Sequence, residues 1–166
     1  MTRDALLLSI RPEYANKIFE GTKTVELRRT RPRLEAGDWV LVYVSTPVKA
    51  LMGMVEVGRV MEAHPSLLWP HVREHAGITR WQFDHYYTGA DRAYGIFLKS
   101  LRQLPIPIKL GHLRELIDGF VPPQSYRYLT YDEVRLVNSD GQRFKKIELL
   151  PQMSPPRLPV SALSFP

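Results

Sequence analysis

The sequence predicts a mainly β, α+β domain: a small, strongly curved β-barrel flanked by short helices, with a two-layer α+β sheet as the second architecture. Three observations lead there. Short β-rich apolar runs recur along the chain and are separated by brief helical stretches rather than long ones. Gly53 and Gly58 interrupt one of those runs, and a glycine inside a strand marks the bulge or bend that a curved or closed sheet needs. Finally, 166 residues with 44% apolar and 24% charged side chains are the size and make-up of one soluble globular domain with a real core.

The elements follow in order. Ala5 to Ile10 is an apolar run that suits a buried first strand, Leu6 to Ile10, and is too short for a signal-peptide core or a membrane span. Pro12 sits where a first helical turn accepts it and Gly21 where a helix ends. Between them Tyr14, Ala15, Ile18 and Phe19 make one apolar stripe, so Arg11 to Glu20 reads as a short amphipathic helix. Val25 to Leu27 is a strand by alternation. Gly37-Asp38 then turns the chain into Val40 to Val44, a near-continuous apolar run expected to be buried on both faces. Leu51 to Val60 returns as the strand with the two glycines. From Pro65 to Tyr87 two short helices are expected, separated by Gly77 and with Thr79 as a cap. Ala93 to Leu98 is a strand, Pro105 to Ile108 is extended, and Leu110 to Ile117 is a helix. The double proline at 122–123 opens a stiff, irregular segment through Leu129 that presents polar and aromatic side chains. Residues 1–150 are thus expected to form a single domain. Residues 151–166, with five prolines, read as an extended or disordered tail.

Charge is concentrated in one stretch. From Gly21 to Arg33 five basic residues (Lys23, Arg28, Arg29, Arg31, Arg33) face one acid, Glu26, for a local charge of +4 out of +6 in the whole chain. If Val25 and Leu27 are buried, Thr24, Glu26 and Arg28 point together to the other face of a half-buried strand. A carboxylate among cations can accept hydrogen bonds from an amino group, and arginines beside it can fork onto a phosphate or a base edge. The same alternation also suits a solvated strand whose glutamate simply neutralises its neighbours. The basic balance makes a polyanion the first partner to consider. There is no cysteine, which excludes disulfides, thiolate metal sites and cysteine nucleophiles and fits a cytoplasmic protein.

Other constellations carry less. His71-Val-Arg-Glu74-His75 matches the H-x-x-E-H pattern of inverted zinc proteases, in which two histidines share a helix face. Pro70 and Gly77 bound the segment and no third ligand is placed on a following helix, so it reads as a solvated helix face and no metal is expected. His85 and His112 look isolated. No serine stands in the strained turn that a hydrolase nucleophile needs, and no glycine-rich phosphate loop is present. Aromatic residues cluster from Trp81 to Tyr94 and at Tyr126, Tyr128 and Tyr131. Interleaved with Arg80, Arg92 and Arg127 they suit base stacking, although Trp81, Phe83 and Tyr94 read as core.

Gly21-x-Lys23-x-x-Glu26-x-Arg28, placed after a strand and a helix and before Gly37-Asp38, resembles the signature of the ASCH domain family, small β-barrels of the PUA-like superfamily. The resemblance runs through Tyr43-Val-Ser45-Thr-Pro47-Val-Lys49-Ala and Gly53-x-x-Glu56-Val to Pro122-Pro123-Gln124-Ser125-Tyr126-Arg127-Tyr128, about residues 5 to 130. It implies a PUA-like barrel with a basic cleft for RNA or a nucleotide-like ligand and no cofactor. Lys23, Glu26, Arg28 and Arg29 would line it, and Ser45, Lys49, Gln124, Ser125, Tyr126 and Arg127 would form its other wall. Members of the family include amidohydrolases of acetylated cytidine and ribonucleases. In the amidohydrolase pattern a threonine stands three residues after the lysine, where this chain has Glu26. The expectation is therefore a binding module for RNA or a modified nucleotide or, if an enzyme, a metal-independent ribonuclease in preference to an amidohydrolase, with Lys23 and Glu26 as the catalytic candidates.

Overall fold

A computed structural model describes residues 5–142. Strands β1 (Ala5–Ile10), β2 (Val25–Arg28), β3 (Trp39–Val44), β4 (Ala50–Ala63), β5 (Ala93–Lys109) and β6 (Tyr126–Leu129) form one sheet in the order β2-β5-β4-β3-β1-β6. Five short helices accompany it: α1 (Pro12–Phe19), α2 (Pro65–Val72), α3 (Arg80–Tyr86), α4 (Leu110–Leu116) and α5 (Tyr131–Gln142). The β1–β3 pair is parallel and the other neighbours are antiparallel. The sheet curls into a half-barrel, mainly β with α decoration, as the sequence predicts. The proline-rich tail expected from residue 151 lies outside the described residues.

Side-chain alternation sorts the core into layers. Leu6, Leu8 and Ile10 of β1, Val40, Val42 and Val44 of β3, Val55 and Val57 of β4 and Ile96 of β5 share one face, and Ala15 and Ile18 of α1 pack onto it. The opposite face is covered in two places. Leu7, Leu41, Tyr43, Leu51 and Met54 lie under α4 and α5 with Leu113, Val134 and Val137. Val25 and Leu27 lie under α2 and α3 with Leu68, Val72, Phe83 and Tyr87.

Both strand glycines coincide with breaks in register, between Leu51 and Gly53 and between Val57 and Arg59. A Cβ on Gly53 would stand 2.4 Å from the Arg102 carbonyl oxygen, so this backbone approach admits no side chain. Pro105 and Pro107 fall in the part of β5 that the β4 register skips, where no amide proton is missed. Thr79 caps α3 in a reciprocal box with Gln82, as expected of the cap.

Three expectations change. The segment after Pro123 is not irregular throughout: residues 126–129 pair with Ala5–Leu8 as an edge strand. The helix around His71 stops at Val72, so His75 lies beyond it and the two histidines share no helix face. His112 is not isolated, because its Nε2 lies 2.7 Å from the buried Asp140 of α5 and its Nδ1 lies 3.1 Å from Glu115. The Asp140 contact raises its pKa above the ordinary value, chiefly through that hydrogen bond. Among the described residues no helix is long and apolar enough to cross a membrane.

Candidate functional site

Strand β2 is buried on both faces, where half-burial was expected. Its antiparallel register with β5 sets Glu26 opposite Ile96 and Arg28 opposite Tyr94. Directly opposed residues share a face, so Glu26 and Arg28 point to the Ile96 side, into the curl, while Val25 and Leu27 point out to α2 and α3.

Here Arg28 joins the two ends of the sheet. Its Nη1 donates to the Ser125 hydroxyl (3.1 Å) and carbonyl (3.4 Å), and its Nη2 donates to the Ser9 carbonyl (3.3 Å) and lies 2.9 Å from Glu26 Oε1. β2 ends one side of the sheet and β6 the other, so these contacts exist only because the sheet curls. The remaining donor, Arg28 Nε, is buried without a partner. Lys23 completes a triad, 3.5 Å from Glu26 Oε2, with its ammonium donating to the Ala76 carbonyl at 2.7 Å and standing 5.6 Å from the Tyr14 ring centroid. All three charges are sequestered: Lys23 is 3%, Arg28 7% and Glu26 8% exposed. The solvated strand is thereby excluded. Burial pulls the Lys23 pKa below its ordinary value, and the attraction of Glu26 only partly opposes this.

The loop after α2 braces the triad. The His75 carbonyl accepts from the amides of Thr24 and Val25, and Lys17 donates to the Gly77 carbonyl at 2.7 Å. Gly21 makes the turn from α1 to this stretch in the left-handed region, φ +81°, where glycine carries no Cβ penalty.

Residues expected on the other wall stand around the end of β1. The Ser9 amide donates to the Ser125 carbonyl, and the Ser45 amide donates to the Ile10 carbonyl, both at 2.9 Å. Ser45 and Ser125 therefore flank the end of β1 on either side. The Ser45 carbonyl also accepts from the Lys49 amide at 3.3 Å, and Lys49 is exposed on that tight loop. Gln124 and Ser125 are exposed, and Tyr126 is half-buried on the curl side with Tyr128.

Two expected residues sit elsewhere. Arg127 alternates to the opposite face of β6, where it pairs with Glu133 and lies over the Phe120 ring. Arg29 leaves the triad and donates to the Tyr86 and Thr88 carbonyls at the end of α3. Of the aromatics read as core, Phe83 and Tyr94 are buried, but Trp81 is 72% exposed, stacked on His85 with ring centroids 5.3 Å apart.

Sequence reasoning missed Ser9 and Tyr86. Ser9 contributes a carbonyl, which no residue pattern signals. Tyr86 lies within the aromatic run; its hydroxyl donates to the Leu27 carbonyl (3.4 Å), and burial raises its pKa within the field of Arg28 and Glu26. Among the described residues no three of His, Asp and Glu gather where a metal ion could be held.

The family model of the ASCH domain matches residues 8–104. An ASCH domain-containing ribonuclease of Zymomonas mobilis is 30% identical over 141 residues, 84% of this chain and 95% of that protein. The crystal structure of ASCH from Zymomonas mobilis superposes with a TM-score of 0.78 at 29% identity, covering 82% of this chain and 95% of the other. The large ribosomal subunit protein uL22 of Ureaplasma parvum is 28% identical over 129 residues, 77% of this chain but only 40% of that protein's length.

Proposed function

Because this chain belongs to the ASCH domain family and has its PUA-like fold, we propose that it binds RNA across the open end of its half-barrel and cleaves it there. The observation that carries this reading is the use made of Arg28. Its fork is engaged by Glu26, Ser9 and Ser125, so it fixes the hydroxyl of the exposed residue Ser125 rather than gripping a phosphate itself. A hydroxyl that accepts from a guanidinium keeps its own proton for an outside acceptor, and a phosphate oxygen is a strong one. Exposed Lys49 and Gln124 stand on the two loops that flank β1 and supply a charge and an amide beside it. Lys23 and Glu26 act in this reading as positioning residues, holding Arg28 across the seam. The ribonuclease of Zymomonas mobilis supports cleavage as well as binding.

Cleavage by the RNA's own 2′-hydroxyl passes its proton to a base, joins the 2′-oxygen to phosphorus and releases the 5′-oxygen with a proton. The products are a 2′,3′-cyclic phosphate and a 5′-hydroxyl end. The test is purified protein with single-stranded RNA and with DNA of the same sequence, each with and without chelator. Cleavage of RNA alone, insensitive to chelator, with cyclic-phosphate ends and lost in Ser125→Ala while binding persists, is the expected result. Affinity should also fall as salt rises, because neutralised phosphates release counterions. Binding without cleavage would reduce the activity to that of an RNA-binding module, and RNA neither bound nor cut would overturn the reading.

A further inference from the structure

The loop after α2 is tied to the buried triad, and a histidine stands at the tie. The His75 carbonyl accepts from the Thr24 and Val25 amides at 2.8 and 3.0 Å, and the next carbonyl, of Ala76, accepts from the Lys23 ammonium at 2.7 Å. The His75 imidazole is held as well, its Nδ1 lying 3.3 Å from the Thr24 hydroxyl. The Thr24 carbonyl accepts from the Leu98 amide at 2.9 Å, which carries the β2–β5 ladder back by one residue. Leu98 belongs with Ile96 to the core layer inside the curl, so Thr24 shares a face with Glu26. The imidazole therefore stands at the Lys23 end of the triad, while Ser125 is bonded at its Arg28 end. His75 is exposed, and no group among the described residues engages its Nε2.

Cleavage at Ser125 needs a proton acceptor for the 2′-hydroxyl, and the other groups of suitable chemistry are engaged. Glu26 is held between Arg28 and Lys23, and the Lys23 ammonium is buried on a carbonyl. His64 caps α2 beside Ser66, His85 lies against the Trp81 indole, and His112 sits between Glu115 and Asp140. His71 is on α2, whose Leu68 and Val72 pack on the outer face of β2. A neutral imidazole has one donor and one acceptor nitrogen. When Nδ1–H donates to the Thr24 hydroxyl, Nε2 presents its lone pair to solvent, the form that a general base needs. The charged groups around His75 are Lys17 of α1 on the Gly77 carbonyl, Lys23 on the Ala76 carbonyl, and the Arg73–Glu74 pair, 3.8 Å apart, in the turn before it.

We propose that His75 takes the proton of the attacking 2′-hydroxyl when RNA is cleaved at Ser125, with Thr24 as its positioning residue. The proposal rests on the RNA reading above and supplies the base that the reaction requires. Nε2 accepts the hydroxyl proton as the 2′-oxygen bonds to phosphorus; the bond from phosphorus to the 5′-oxygen breaks, and that oxygen takes a proton from water. The imidazolium then returns its proton to solvent, so the protein ends as it began. The triad sets the spacing of the two halves, because Arg28 fixes Ser125 at one end and Lys23 fixes the loop of His75 at the other. A nucleotide whose phosphate meets Ser125 and whose sugar lies along the triad brings its 2′-hydroxyl to His75.

The experiment measures binding and cleavage of one RNA by wild type, His75→Ala, Thr24→Val and Thr24→Ser across pH, with imidazole added to a second set of His75→Ala reactions. His75→Ala keeps the backbone carbonyl that braces β2, so it should melt and bind RNA like wild type but cut it about a hundredfold more slowly or worse. Added imidazole should restore a large part of the rate. Wild-type cleavage should rise with pH along an acid limb as the imidazole loses its proton, and the residual activity of His75→Ala should lack that limb. Thr24→Val keeps the shape without the hydroxyl and should lower kcat and displace the limb with KM unchanged, while Thr24→Ser should restore both. Cleavage by His75→Ala at the wild-type rate would overturn the proposal and leave RNA cleavage at Ser125 standing. A loss of rate that neither responds to imidazole nor removes the acid limb would overturn it too, because the side chain would then act only through structure. Binding by wild type without cleavage would likewise overturn it. RNA neither bound nor cut would remove the RNA reading and this proposal together.

Discussion

Removing Arg28 tests whether the buried triad holds the two ends of the sheet together. Arg28→Met keeps length and apolar stem but deletes the fork, leaving Glu26 8% exposed with only Lys23 at 3.5 Å. Breaking a buried pair from one side costs about 3–5 kcal/mol. Against this, the buried, partnerless Nε disappears with the side chain and relieves about 1–3 kcal/mol. The net expectation is therefore a loss centred on about 2 kcal/mol, or a fall in Tm of roughly 4–8 °C for a domain of this size. Glu26→Gln keeps an acceptor for Arg28 and should cost about 1–2 kcal/mol. The double variant should cost clearly less than the sum, with a coupling of about 1 kcal/mol or more, because the second change removes a charge that the first has stranded. Urea melts of the four proteins give all the numbers. A loss below about 1 kcal/mol for Arg28→Met would place the pair among exposed salt bridges, and additivity within about 0.5 kcal/mol would show that Glu26 and Arg28 do not depend on each other.

Two further expectations concern the scaffold. Gly53→Ala should destabilise by about 2 kcal/mol or more, since its Cβ meets the Arg102 carbonyl at 2.4 Å and the Phe19 ring at 3.0 Å. Gly58→Ala, whose Cβ finds its nearest neighbours at 3.4 and 3.5 Å, should stay within about 1 kcal/mol of wild type in the same melt. The third concerns pH. Asp140 raises the folded-state pKa of His112 above its ordinary 6.5, so the folded chain binds that proton more tightly than the unfolded one. Its contribution is complete below 6.5 and is lost as pH rises through the folded value. The stability advantage of wild type over His112→Gln should accordingly shrink across that rise, and an advantage that grew would refute the assignment.

Much of this protein is written in local pattern. The alternation of Val25 and Leu27 with Glu26, the proline and glycine that bound α1, the Thr79-Gln82 box and the two glycines of β4 are short-range signals, because each reflects backbone sterics or a hydrogen bond within a few residues. The basic stretch and the family motif were equally legible. What the local pattern could not fix was the environment on the far side of each element. Glu26 and Arg28 are buried because Ser9 and Ser125, the latter 97 residues from Arg28, arrive on the open face of β2 when the sheet curls. Residues 126–129 become a strand because β1 offers an unpaired edge, and that pairing alone decides that Tyr126 turns into the curl while Arg127 turns out to Glu133. Trp81 is exposed because Phe83 and Tyr87 take the side of α3 that faces β2, and a helix of seven residues has only one side to bury. Propensity and periodicity thus specify which residues share a face, and only the closing of distant strands decides whether that face meets water, a partner charge or the core.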